Sequence, residues 1–93
     1  MTVQHKKGEG KGMFYVELDG EIEAEMIYTM YAKDKMLIEH TEVGEALRGR
    51  NIGYELVHAA VEYARHHGLK IIPSCSFASS VFEKKPDFRD VLE

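Results

Sequence analysis

Apolar and polar residues recur with two different periods along this chain. From Ile52 to His67 the apolar positions fall at helical spacing, as Ile52, Leu56, Ala60, Tyr63 and Ala64. Before that helix the period is two. Ala24 to Ala32 places Ala24, Met26, Tyr28 and Met30 on one face and Glu25, Ile27, Thr29 and Tyr31 on the other. Met13 to Leu18 is rich in aromatic and β-branched residues, and Asp19-Gly20 behind it is a strong hairpin signal. Lys33-Asp34-Lys35 is a short polar turn, so three antiparallel strands are predicted: Met13–Leu18, Ala24–Ala32 and Met36–Val43. Met1 to Gly12, crowded with lysine and glycine, reads as a mobile terminus.

The helix ends in Arg65, His66 and His67 before Gly68, which suits its dipole and its C-cap, so neither histidine needs a catalytic role. Leu69 to Phe77 is a further β-like run, interrupted by Pro73. Ser80-Val81-Phe82-Glu83 fits a capping box, so a short helix is expected from about Ser79 or Ser80. Pro86 should stop it, with Phe77, Val81, Phe82 and Phe88 as its packing face. The class is therefore mixed α/β (α+β): three antiparallel strands, a helix, a strand parallel to Met36–Val43, and a short C-terminal helix.

Ninety-three residues make one modest domain, residues 1–93, with room for one core and little for a separate substrate domain. A hydrophobic content of 44% with 30% charged residues fits a folded soluble chain. The net charge of −4 argues against nucleic acid as a partner, because that needs a broad cationic surface. No apolar run is long enough for a membrane span, and no leader-like segment opens the chain. The lone Cys75 excludes an intrachain disulfide and a cysteine metal cluster, and with no export signal it suggests a reducing cytoplasm. No metal site is expected, and nothing demands a second copy, so a monomer is expected.

The candidate chemistry gathers around Arg48-Gly49-Arg50-Asn51-Ile52-Gly53. This basic, glycine-containing loop lies between a strand and a helix. It should offer free backbone N–H groups and two guanidinium groups to a phosphorylated anion. The plainer reading is an ordinary strand-to-helix turn in which Gly53 permits close packing. On strict alternation, Met36, Ile38, His40 and Glu42 share one face of their strand, and Leu37, Glu39, Thr41 and Val43 the other. The crossover brings the C-terminal ends of Met36–Val43 and Leu69–Phe77 to one side, so His40 and Cys75 are expected in one cleft. By residue type alone, His40 and Glu42 could be a surface pair, and Cys75 a small buried filler.

The order of elements, with the runs Ile38–Val43, Leu47–Gly53 and Pro73–Phe77, resembles the GNAT N-acetyltransferase superfamily, in particular its small single-domain branch. The resemblance spans about Phe14 to Phe88. Arg48 and Gly53 match the ends of the superfamily's pyrophosphate motif, while Asn51 stands where glycine is usual; asparagine tolerates the left-handed backbone such a loop needs. The resemblance implies acetyl-CoA as co-substrate, with its pyrophosphate on the amides of Arg48, Gly49, Arg50, Asn51, Ile52 and Gly53. Its pantetheine would pair with backbone near Thr41, Glu42 and Val43, and its thioester would lie close to His40 and Cys75. The acceptor would be an amine of a small molecule or a protein. His40 suits a general base, with Glu42 as partner or relay. Cys75 offers a second route through an acetylated thiol. Longer members carry two helices between their first strands; here Asp19-Gly20 turns tightly, which leaves the acceptor side open. The general-acid tyrosine often found in their last helix has no clear match, and Ser79 and Ser80 are the hydroxyls there. The alternative is a non-catalytic acyl-CoA-binding or protein-interaction module.

Overall fold

A computed structural model describes residues 2–93. Five strands form one sheet in chain order: β1 (Gln4–Lys7), β2 (Lys11–Leu18), β3 (Glu21–Ala32), β4 (Lys35–Val43) and β5 (Lys70–Pro73). The first four are antiparallel neighbours and β5 is parallel to β4. Two helices, α1 (Ile52–His67) and α2 (Ser76–Lys84), and two 3-10 turns, Glu45–Leu47 and Pro86–Val91, complete the order. The Asp19-Gly20 hairpin holds: both residues have positive φ, 54° and 82°, the conformation a two-residue turn requires.

The core lies between the helices and one face of the sheet. From α1 it receives Leu56, Val57, Ala60, Val61 and Ala64, all fully buried, which is the apolar stripe the helical spacing predicted with Val57 and Val61 added. The sheet answers with Phe14, Val16, Met26, Tyr28, Met36, Ile38 and Ile71, and α2 with Ala78, Val81 and Phe82. Arg65 ties the C-terminal segment to α1 through two bonds to the Asp90 carboxylate, 2.8 and 2.9 Å, and one to the Asp87 carbonyl. Among the described residues, the opposite face of the sheet carries no helix.

Several expectations are corrected. Residues 4–7, read as part of a mobile terminus, form an edge strand on β2. Its inward residue is a histidine rather than an aliphatic: His5 stacks on Phe14 at 4.1 Å and meets Tyr63 edge-on at 4.6 Å, so aromatic contact replaces an apolar side chain. The strand beginning at Leu69 stops at Pro73, not Phe77, and α2 begins at Ser76 rather than near Ser80. The N-cap is Cys75, whose Sγ accepts from the Ala78 N–H at 3.4 Å, so the Ser80–Glu83 capping box is not used. Phe77 stays 41% exposed while Val81, Phe82 and Phe88 are buried.

The strict alternation of β4 also fails. Ile38 pairs with Tyr28 but His40 pairs with Ile27, so Glu39 is an extra residue and the register shifts. Directly opposed residues share a face. Beyond the bulge, Thr41 (opposite Met26) and Val43 (opposite Ala24) therefore turn to the helix side. His40 and Glu42 turn to the open side with Ile27 and Glu25. Thr29 Oγ1 donates to the Glu39 carboxylate at 2.7 Å and pins the bulge.

Candidate functional site

β4 and β5 separate where the bulge begins. Their pairing ends at Ile38 with Pro73, and the Ile38 carbonyl then accepts from both Ser74 and Cys75 N–H. Residues 39–43 of β4 continue with no strand on that side, so their outward backbone groups border an open slot. Two backbone donors converging on one carbonyl turn the chain away into α2.

The slot leads to the loop before α1. Gly44 N–H is held by the Glu23 carbonyl, and Leu47 is fully buried, so the loop is anchored at its start. Gly49 (φ 82°) and Asn51 (φ 61°, ψ 24°) then take left-handed conformations, and Asn51 is the N-cap of α1 without a side-chain capping bond. The first N–H groups of the helix, on Ile52, Gly53 and Tyr54, have no intrahelical acceptor and no side-chain cap, so they are free for an anion. Asparagine tolerates this left-handed backbone better than most residues.

Beside this helix start lies a groove of about 500 Å³, bounded by Val43, the 48–53 loop and the exposed side of α2. Phe77 crosses over Gly53: a Cβ on Gly53 would lie 2.5 Å from the Phe77 ring. The close approach to Phe77 accounts for Gly53 by packing. Three cations face the groove: Arg48, and Lys84 and Lys85 at the end of α2. None makes an ion pair among the described residues, and the Lys85 ammonium sits 5.0 Å from the Tyr54 ring centroid. Charge of this sign, held beside a helix N-terminus, suits a ligand with several phosphates.

Of the residues singled out for a cofactor, Val43, Arg48, Gly49, Asn51, Ile52 and Gly53 line the groove; Arg50, Thr41 and Glu42 do not. Thr41 lies nearer α2, its Oγ1 3.4 Å from the Cys75 Sγ. The crossover sets the ends of β4 and β5 side by side as expected, but His40 and Cys75 face opposite sides of the sheet. The bulge sends His40 to the open face, where its Nε2 is 3.4 Å from Glu42 Oε1, whereas Cys75 lies on the helix side. Glu25, His40 and Glu42 bring donor atoms within 4.8 Å of one another, a ligand set suited to a divalent ion but wholly on the open face of the sheet. Sequence reasoning missed Tyr54, Lys84 and Lys85. The dibasic pair immediately before Pro86 was the available signal.

Parted strands, a left-handed loop at the parting and a helix that starts there define a splayed α+β fold with a cation-lined groove at its fork. The chain belongs to the GCN5-related N-acetyl-transferase family, which it matches over residues 13–91. A GCN5-like protein from Staphylococcus aureus, solved by NMR, is 37% identical; the alignment covers 97% of this chain and 87% of that one, with a TM-score of 0.75. Protein NATD1 of Danio rerio is 30% identical over 87 residues, 92% of this chain and 77% of that protein. An aminoglycoside N-acetyltransferase in complex with CoA shares the fold at 13% identity and a TM-score of 0.58, over 83% of this chain and 67% of that one. No helix among the described residues is long and apolar enough to cross a membrane.

Proposed function

We propose that this chain is an N-acetyltransferase that moves the acetyl group of acetyl-CoA to the amine of a small molecule or a protein. The observation that carries the reading is the slot along residues 39–43 of β4, opening beside the uncapped start of α1. In this reading the pyrophosphate lies on the amides of the 48–53 loop with Arg48, Lys84 and Lys85 around it. The pantetheine runs along the free edge of β4 past Thr41 and Val43, which puts the thioester near Cys75. In this reading the slot is reached from both faces of the sheet. The cofactor enters from the helix side, and the amine approaches from the helix-free face, where His40 stands with Glu42. The amine nitrogen attacks the acetyl carbon, the C–S bond breaks, the proton lost by nitrogen passes to His40, and the CoA thiolate leaves to be protonated. Direct transfer is our reading. Transfer by way of a Cys75 thioester is the second route, which Cys75's place beside Thr41 at the slot keeps open. We further infer that the chain works as a monomeric single domain, and that its free thiol suits the cytoplasm.

A second reading, an acyl-CoA-binding or protein-interaction module without turnover, is favoured by the uncovered open face of the sheet. One experiment separates the two: titration with acetyl-CoA followed by amide NMR, then mass spectrometry of acetyl-CoA consumption with a free amine. Shifts at Arg48–Gly53 and Thr41–Val43 with time-dependent consumption support the enzyme. Shifts without consumption support an acyl-CoA-binding module, and no shifts at millimolar acetyl-CoA would remove the enzyme and leave the protein-interaction module. His40→Gln should lower turnover by roughly 10²- to 10⁴-fold while acetyl-CoA affinity holds. Unchanged turnover would strip His40 of its role.

A further inference from the structure

At the other end of the sheet from the groove, a concavity of about 330 Å³ opens between the β1–β2 turn, the β3–β4 turn and the last turn of α1. Lys7 and Lys11 line it from the first turn, Lys33 from the second and His67 from α1; Tyr28 and Tyr63 contribute its aromatic wall. No ion pair joins any of these three lysines to a carboxylate among the described residues. The Lys7 ammonium is instead 5.8 Å from the Tyr63 ring centroid. Their neighbours in sequence, Glu9 and Asp34, are exposed and do not line the concavity.

In a chain of 16 acidic residues and net charge −4, three unneutralised lysines from two separate turns repel one another at one place. The dipole of α1 does not need them, since Arg65, His66 and His67 already stand on its last turn. Their field is felt nearby. His5 is held below its ordinary pKa by burial first, and then by Lys7 and His67.

We propose that this concavity is a second anion site, one that takes a small phosphate-bearing molecule independently of the acetyl-CoA groove. Lysine ammonium groups act as point charges and suit a phosphate approached from several directions, whereas planar carboxylates are better matched by arginine. The concavity falls at the lower end of the ~300–1,000 Å³ typical of small-ligand sites. Tyr63, Met30 and Leu69 offer apolar surface to the rest of such a molecule. The two sites lie at opposite ends of α1, whose 16 residues span about 24 Å, so one ligand headgroup does not serve both.

The test is an amide NMR titration of the full chain with inorganic pyrophosphate, run beside sodium chloride at matched ionic strength. Saturable shifts are expected at Lys7, Gly8, Lys11, Lys33 and His67. Replacing Lys7, Lys11 and Lys33 by glutamine should weaken binding there by about fivefold for each lysine, with any shifts at Arg48–Gly53 retained. The three are exposed, and the amide spectrum of the variant reports its fold directly; Lys33→Gln alone gives a milder check. Shifts confined to Arg48–Gly53, shifts reproduced by sodium chloride, or an affinity unchanged in the triple variant would each overturn the proposal.

Discussion

Gly53→Ala tests the join between the two helices and the groove at once. A Cβ at this position would meet Phe77 Cζ at 2.5 Å, Cε2 at 2.8 Å and Cε1 at 3.3 Å. Carbon atoms rest at about 3.5–4.0 Å, so the ring must move by roughly an ångström. Phe77 is 41% exposed and has room to yield, but its ring borders the groove, so displacement intrudes on the cofactor's space. Overpacking of this kind costs about 1–3 kcal/mol. Against it, alanine gains roughly 0.5–1 kcal/mol over glycine in a helix. The net expectation is a loss of up to about 2 kcal/mol, and for a domain of this size each kcal/mol lowers Tm by about 4–8 °C. The assay is a double-mutant cycle with Phe77→Ala, read by urea and thermal unfolding. Once Phe77→Ala has removed the ring the clash is gone, so Gly53→Ala should then be neutral or stabilising, with a coupling of about 1–3 kcal/mol between the two sites. Acetyl-CoA affinity should fall in Gly53→Ala and recover in part in the double variant. An equal cost of Gly53→Ala in both backgrounds would refute the reasoning, because Phe77 would then not be what glycine accommodates.

Asn51 tests the loop backbone: Asn51→Gly should leave stability and acetyl-CoA affinity near the starting values. Asn51→Val should cost about 1–2 kcal/mol in a denaturant melt, since a β-branched residue resists the left-handed region. Arg48, Lys84 and Lys85 make no ion pair among the described residues, so their glutamine variants should melt like the parent. Each should weaken acetyl-CoA by about fivefold at low salt, an effect that shrinks as salt is added. Two groups set separate acid windows. Burial, then Lys7 and His67, lowers the His5 pKa in the folded chain, so the unfolded chain takes up that proton first and stability falls as pH drops below about 6.5. The fall ends once pH passes the folded value. Asp90 is held below its ordinary value chiefly by the Arg65 hydrogen bonds, so its contribution is present above the unfolded carboxylate pKa and disappears as pH falls through the lower folded one. Tm against pH should show a first decline missing from His5→Gln and a second, more acidic one missing from Asp90→Asn.

The fold was largely legible because its long elements carry clean periods. α1 and β3 have apolar positions spaced for one buried face each, and Asp19-Gly20 can scarcely do other than turn. The turn at 48–53 was legible because its residue types suit a left-handed backbone: two glycines and an asparagine between strand and helix. What failed had no local signal. A bulge adds one residue without altering composition, so strict alternation carried His40 and Glu42 to the face of Met36 and Ile38, one residue out of phase. The N-terminal strand was hidden because its inward residue is His5, which fits there only by stacking on Phe14 and bonding the Tyr28 hydroxyl at 2.6 Å. Burial acts on both partners: it pushes the hydroxyl's pKa up to about 12 and holds the imidazole's below its ordinary value. Ser80–Glu83 looked like a helix start, yet Cys75 begins the helix earlier, since the Ile38 carbonyl turns the chain at Ser74 and Cys75. Local propensity yields there to a tertiary hydrogen bond.

The bulge also gives one small sheet two faces of opposite charge. On the helix side, the residues after Glu39 are Thr41 and Val43, leading toward Arg48, Lys84 and Lys85, a surface fit for a polyphosphate. On the open side they are His40 and Glu42, joined by Glu25 and by Glu39 itself, a surface that attracts an ammonium group and repels a phosphate. Without the extra residue the two sets would exchange faces: the imidazole and a carboxylate would turn under the helices, and Val43 would turn to water. Net charge hides this division, because −4 is a sum over both faces. The negative total argues against a broad nucleic-acid surface, but it says nothing against a compact polyanion held at one cationic groove. In the proposed reaction the division has a kinetic use: cofactor and amine approach the slot from opposite sides, each drawn by the face it meets and turned away by the other.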